Sequence, residues 1–376
     1  MWKLPDSVAL RFPLVARPRP TCLPLPQRVH ALTELADTAW NLGDPSMAST
    51  VYNQAALIAS DIRAPDTARA LCHQHAADYL HATPLPGRAA IRALEPVVNL
   101  ARLQIRAGQA DDGRQRLLTL FAAVTTGSPA QVEDIAVPAD LVANADDRQE
   151  VRAWLWRVLL ADGTRALTTA GRWAEALAHV EAHRGIGCRM LDGRQVAVLA
   201  ALTAGNTVDA DSLLATTEPG ERWERVVTEC LTVLYRRMVG QPWRRSLHDL
   251  ATAYFGRPDR DDLAVFDTRL GLAVLDAVDS AEDPVARLVV AELHRRTMKT
   301  TDGYASREIL KHPMFTALAT DREAQDCRSL LDACALKAGT LPGDLGDRLA
   351  AALHTSSRVI RRSLDRPERA CTIGQQ

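Results

Sequence analysis

Four glycine turns recur along this chain: NLGDPSMA, RAGQADDG, TAGRWAEA and TAGNTVDA, with glycines at Gly43, Gly108, Gly171 and Gly205. Each is followed five residues later by a small residue: Ala48, Gly113, Ala176 and Ala210. A glycine ends a helix because it enters the left-handed region without steric cost, and a small residue in the next helix lets paired helices approach closely. The glycines are 65, 63 and 34 residues apart, which corresponds to two, two and one units of about 32–34 residues. A chain with that period stacks helix–turn–helix units, each burying the open face of its neighbour.

Composition agrees with helices. Hydrophobic residues make up 47% of the 376 but aromatics only 5%, so the apolar mass is largely alanine and leucine, which lose little freedom in a helix. Little of the β-branched alternation expected of strands is present. Lys and Arg total 45 against 46 Asp and Glu, without the basic excess that nucleic-acid binders usually carry, so a nucleic-acid partner is disfavoured. The seven cysteines are scattered, with no C-x-x-C pair. This favours reduced thiols in a cytoplasm, with no structural zinc site and Cys327 and Cys334 as buried thiols. Asp6, Arg11 and two early prolines interrupt any signal-peptide core, and no apolar run is long enough to span a membrane. The expected location is cytoplasmic.

Residues 1–28 are proline-rich and read as an extended arm that packs across the first helices or stays mobile. Residues 29–256 carry the repeat signal, 257–366 continue as a C-terminal helical region, and 367–376 read as a flexible tail. Within them the periodicity predicts helices near 30–43, 45–60, 66–81, 87–107, 110–126, 147–170, 172–183, 190–204, 208–216, 222–239, 243–255, 261–277, 283–298, 321–337 and 344–364. Two stretches, 127–146 and 300–315, lack periodicity. The first reads as a long loop, with room for a short helix, and the second as an irregular interruption.

The turn GRWAEA resembles the inter-helix turn of the tetratricopeptide repeat family, with Trp173 in the aromatic place and Ala176 in the small one. Ala36, Ala48, Tyr52 and Ala55 resemble the same pattern in the first unit, whereas Gly113 and Leu120 stand where that family usually has alanine. The matches cover about half of residues 30–217. AWNLGD, VYNQAALIASD and VNLARLQIRAG also resemble actinobacterial helical proteins of this repeat type. Some of those are associated with peptide natural-product pathways, and they are similar to the ligand-sensing portion of regulators. The resemblance implies an all-α, right-handed α-solenoid with an irregular C-terminal helical cap. It also implies a concave groove lined by the first helix of each pair. In that register the groove receives Asp37, Trp40 and Asn41, then Val98, Arg102, Ile105 and Arg106, and then Ala161, Arg165, Thr168 and Thr169.

Three guanidiniums in one groove suit a peptide or protein partner bearing acidic groups, because arginine grips carboxylates bidentately, and Trp40 would be an aromatic anchor. The competing reading pairs these arginines with acids on neighbouring helices. Asn41 and Asn53 suit a peptide backbone, with helix capping or inter-helix hydrogen bonds as the plainer role. His73 and His75 do not face each other on a helix, and His179 and His183 lack an H-E-x-x-H context. Neither pair is assigned a metal. GIGCRMLDG lacks the phosphate-loop arrangement, and no nucleophile elbow, kinase or dinucleotide signature is present. Asp162, Asp192 and Arg194 form a candidate polar cluster, with ordinary ion pairing as the plainer role. Arg358, Arg361, Arg362, Arg366 and Arg369 make a basic C-terminal end, read as solvated, with an acidic partner or a nucleic-acid backbone as the alternative. The reading is a binding scaffold without catalytic residues or cofactor. The alternatives are a sensor of a small molecule or signalling peptide, and an enzyme or enzyme subunit with an unrecognised site.

Overall fold

The computed structural model describes residues 2–278 and 280–365. Among the described residues the fold is all-α apart from one two-stranded hairpin, Ala130–Val132 with Ile135–Val137, and an isolated bridge between Leu85 and Val142. The predicted helices form with ends shifted by a few residues. The tail expected at 367–376, with Arg366 and Arg369, lies outside the described residues.

The four repeated turns share one geometry. Gly43, Gly108, Gly171 and Gly205 have φ between 63° and 87°. Each glycine N–H donates to the carbonyl three residues back, and the next N–H donates to the carbonyl five residues back, as in Asp44 to Ala39 at 3.0 Å and Asn206 to Ala201 at 2.8 Å. This is the Schellman closure, which satisfies carbonyls that a helix end leaves open. The small residues are buried at the helix crossings: Ala48, Ala176 and Ala210 are fully covered. A Cβ on Gly113 would come within 2.6 Å of the Ala101 carbonyl oxygen, so this pair crosses too closely even for alanine.

The chain divides into two compact units, each built from separated segments. One comprises Met1–Leu25 and Trp156–Leu336, and the other Pro26–Leu155 and Lys337–Gln376. The boundary expected at 256/257 falls inside the first unit. Most of the N-terminal arm belongs to the first unit. It has a short helix, Asp6–Ala9, and Val8, Phe12 and Leu14 belong to the first unit's core with Leu199, Leu231, Leu270, Leu293 and Phe315. Its backbone is held by the buried Gln195, which accepts from Leu14 N–H and donates to Leu14 carbonyl, both at 2.7 Å.

In the second unit the Gly343–Leu364 helix packs against Pro45–Asp61 and Pro65–Leu80. The core there is Val51, Tyr52, Ile58, Tyr79, Leu94, Leu100, Leu117 and Ile360. The stretch read as a loop at 127–146 holds the hairpin, which turns Val132, Ile135 and Val137 inward by strand alternation. The interruption at 300–315 holds one short helix, Gly303–Ile309, and the start of another, Pro313–Leu318. The helix predicted over 147–170 is regular only to Val158. Leu159–Gly163 is π-helical, and α geometry resumes at Thr164–Thr168.

Candidate functional site: an arginine-rimmed cleft

In the second unit, the end of Pro45–Asp61, the start of Pro65–Leu80, the end of Gly87–Arg106 and the hairpin turn enclose a cavity of about 220 Å³. Leu100, Leu103 and Pro65 give it apolar walls, while Arg63, Arg69 and Arg106 rim it with Glu133. Small-molecule pockets usually run to about 300–1,000 Å³, so this cavity fits a side chain or two.

Each rim group is positioned by local structure. Arg106 donates to Ser60 Oγ at 3.2 Å and Asp61 Oδ1 at 3.3 Å. The buried Asp61 also receives Arg28 at 2.7 Å, so its charge is matched without using up the exposed Arg106 guanidinium. Glu133 has φ of 51° at the first position of the hairpin turn, a place that usually takes glycine. Its carboxylate receives Arg69 at 2.7 Å, His73 Nε2 at 3.1 Å and Arg116. Burial pushes this carboxyl up, but the Arg116 and His73 hydrogen bonds outweigh it and hold it below its usual range.

Arg63 is the informative residue. It has φ of 66°, and its turn closes as the glycine turns do, with Arg63 N–H to Ser60 carbonyl at 3.2 Å and Ala64 N–H to Ala59 carbonyl at 2.9 Å. A side chain in that conformation costs roughly 1–2 kcal/mol. Here it puts an exposed guanidinium at the mouth of the cleft. Arg184 closes its turn likewise at φ 51°, away from the residues that line this cavity.

The structure separates the residues the sequence grouped. Arg106 joins the cleft. Arg102 lies one turn earlier and donates to Asn99 Oδ1 at 3.0 Å. Asn99 donates to Asn53 at 2.9 Å, and Asn53 to Glu95 at 2.7 Å, so Asn53 has the inter-helix role. Burial pushes the Glu95 carboxyl up, against the Asn53 hydrogen bond and the charges of Arg92 and Arg102. Val98 is fully buried, so the inherited groove register fails there. Asp37 and Asn41 are exposed on Leu25–Leu42. Trp40 is half-buried, and its ring meets Arg358 and Arg362 at 4.4 and 4.6 Å; the chain's own last helix occupies the proposed anchor. Arg361 of that basic end pairs with the buried Asp78 at 2.7 Å.

Arg165 belongs to the first unit. Of the candidate polar cluster, Asp192 takes the plainer role of an ion pair, with Arg17, while Arg194 donates to the carbonyls of Gly187 and Leu213 and to Thr216 and Thr217. His73 serves Glu133, His75 is buried against Tyr52, and His179 donates to the Leu159 carbonyl. Among the described residues no three His, Cys, Asp or Glu side chains converge as a metal site, no helix is long and apolar enough to cross a membrane, and the six described cysteines are free, with Cys327 and Cys334 buried.

Sequence reasoning missed Arg63, Arg69 and Glu133. The available signal for Arg63 was an arginine in the short Ile62–Ala64 break between two helical patterns, where the sister turns have glycine. No family model matches the chain, and no curated protein or solved structure matches it.

Proposed function

We propose that this chain is a binding scaffold of the tetratricopeptide-like solenoid type, and that the arginine-rimmed cleft takes acidic side chains of a peptide or protein partner. The repeated Schellman turns with buried small residues support the solenoid reading. The carrying observation for binding is Arg63, a guanidinium kept at the cleft mouth in a backbone conformation better suited to glycine. Tolerated strain of this kind clusters at functional positions. An acidic side chain entering the cavity would meet the guanidiniums of Arg63 and Arg106 and lay its methylenes on Leu100 and Leu103. Each charge-assisted hydrogen bond is worth about 1.5–3 kcal/mol. The resemblance to actinobacterial repeat proteins favours a partner from a peptide natural-product pathway.

Fluorescence anisotropy with labelled ten-residue peptides rich in Asp and Glu tests this reading. Binding is expected to weaken as salt rises and to fall at least about tenfold, or ~1.4 kcal/mol, in the double variant Arg69→Ala with Arg106→Ala while helical content is kept. Binding that ignores both changes excludes the cleft.

A further inference from the structure

The wall of the arginine-rimmed cleft holds a polar group that the rim charges do not account for. Leu100, Leu103, Gln104 and Ala107 all line the cavity. They stand at i, i+3, i+4 and i+7 across the end of Gly87–Arg106, so one face of that helix forms the wall. Burial grades along it. Leu100 is fully buried and Gln104 is 8% exposed, whereas Arg106 and Ala107 are open to solvent. The charges gather at the shallow end, with Arg63 exposed and the half-buried Glu133 already holding Arg69, His73 and Arg116. The deep end of this wall is neutral.

The Gln104 carbonyl accepts from Gln109 N–H at 3.0 Å. Its side-chain amide makes no hydrogen bond to a described residue. Other amides nearby are occupied: Asn99 accepts from Arg102 and donates to Asn53, which donates to Glu95. A carboxamide carries two N–H donors and a carbonyl acceptor. A group that fills the cavity and displaces water must replace both kinds of bond, or leave a buried polar atom unmet. A carboxylate offers acceptors alone, so at this depth it would serve the Gln104 N–H and orphan its carbonyl. An aliphatic side chain would orphan both. At about 220 Å³ the cavity has room for a side chain or two rather than a length of main chain, so the matching group has to come from a side chain.

We infer that Gln104 makes the cleft select an asparagine or glutamine of its partner, set close to an acidic residue that the rim takes. This rests on the acidic-partner reading of the same cleft. Two carboxamides pair by two hydrogen bonds, N–H to carbonyl in each direction, and either orientation of the Gln104 amide allows it. The acidic side chain ends at Arg63 and Arg106, and the carboxamide lies deeper, along Leu100. In an extended peptide residues two apart face the same way, so the acidic residue stands two positions from the amide. Gln104 is thereby a specificity-determining residue: it discriminates among acidic peptides that the rim alone would bind alike.

The test is fluorescence anisotropy of the full chain with labelled ten-residue peptides of Asp and Glu that differ only at one central residue: Gln, Glu or Met. Methionine has nearly the shape of glutamine without its amide. The parent is expected to bind the Gln peptide at least about fivefold more tightly than the other two. Gln104→Met is expected to unfold no lower than the parent, since it removes an unpaired polar group. It should bind the Glu peptide within about twofold of the parent and show no preference for Gln. If Gln104→Met does not fold, Gln104→Leu is read in its place. Equal affinity of the parent for the Gln and Glu peptides, or for the Gln and Met peptides, overturns the inference and leaves the acidic-partner reading standing. A Gln preference that survives in the folded variant does the same. Failure of all the peptides to bind the parent overturns the reading and the inference together.

Discussion

At the residue scale the molecule shows how burial and charge divide labour among chemically similar side chains. Arg106, Arg361 and Arg269 answer particular carboxylates, whereas the exposed Arg63 forms no ion pair among the described residues. Burial likewise decides among the histidines. His75 is 1% exposed, stacks on Tyr52 with ring centroids 4.9 Å apart, and leaves Nε2 without a hydrogen-bond partner among the described residues. Burial pushes its pKa from 6.5 down to about 3. A histidine with a depressed folded value is neutral in the fold, so its stabilising contribution is complete above pH 6.5 and lost as pH falls from 6.5 toward 3. Denaturant unfolding at pH 7 and pH 5 should therefore differ by about 2 kcal/mol from this group alone, at 1.36 kcal/mol per unit. His75→Phe, which keeps an aromatic ring beside Tyr52, should remove that share. An unchanged pH dependence in the variant would show that His75 is not the group responsible.

At the scale of the element, helices were legible because Ala–Leu periodicity and glycine punctuation are local signals. The glycines at 43, 108, 171 and 205 all close helices as the spacing implied. The hairpin was not legible because AQV and IAV are too short to set up an alternating pattern. The π turn left no mark either, since LLADG keeps ordinary helical composition. Proline content signalled a non-helical N-terminal run, but Phe12 and Leu14 meet partners nearly two hundred residues or more away, and only the fold discloses that. The single buried side chain of Gln195 satisfies both backbone groups of Leu14 and also donates to the Met190 carbonyl. Replacing it by Leu leaves these groups without partners, at about 1–3 kcal/mol each. Chemical denaturation of Gln195→Leu should show a loss of at least about 2 kcal/mol. A loss below about 0.5 kcal/mol would mean that the N-terminal segment is held by its apolar residues alone.

At the scale of the whole molecule, each unit is assembled from discontinuous segments, which a period read along the chain could not reveal. The site was half legible for the same reason. Arg106 was named from its place on a helix face, but its neighbours Arg63 and Glu133 lie on turns, where helical register carries no information. Arg165 shared the inherited register and belongs to a different unit. The central claim is that the cleft binds an acidic partner and that Arg63 is retained for that purpose at a cost in stability. The most direct measurement is the acidic-peptide affinity of Arg63→Gly, read beside its Tm. Glycine relieves the left-handed backbone, so the account predicts a Tm equal to or above the parent's together with an affinity reduced about tenfold, or ~1.4 kcal/mol. An Arg63→Gly protein that binds the peptides as tightly as the parent, or a parent that binds none of them, would contradict it.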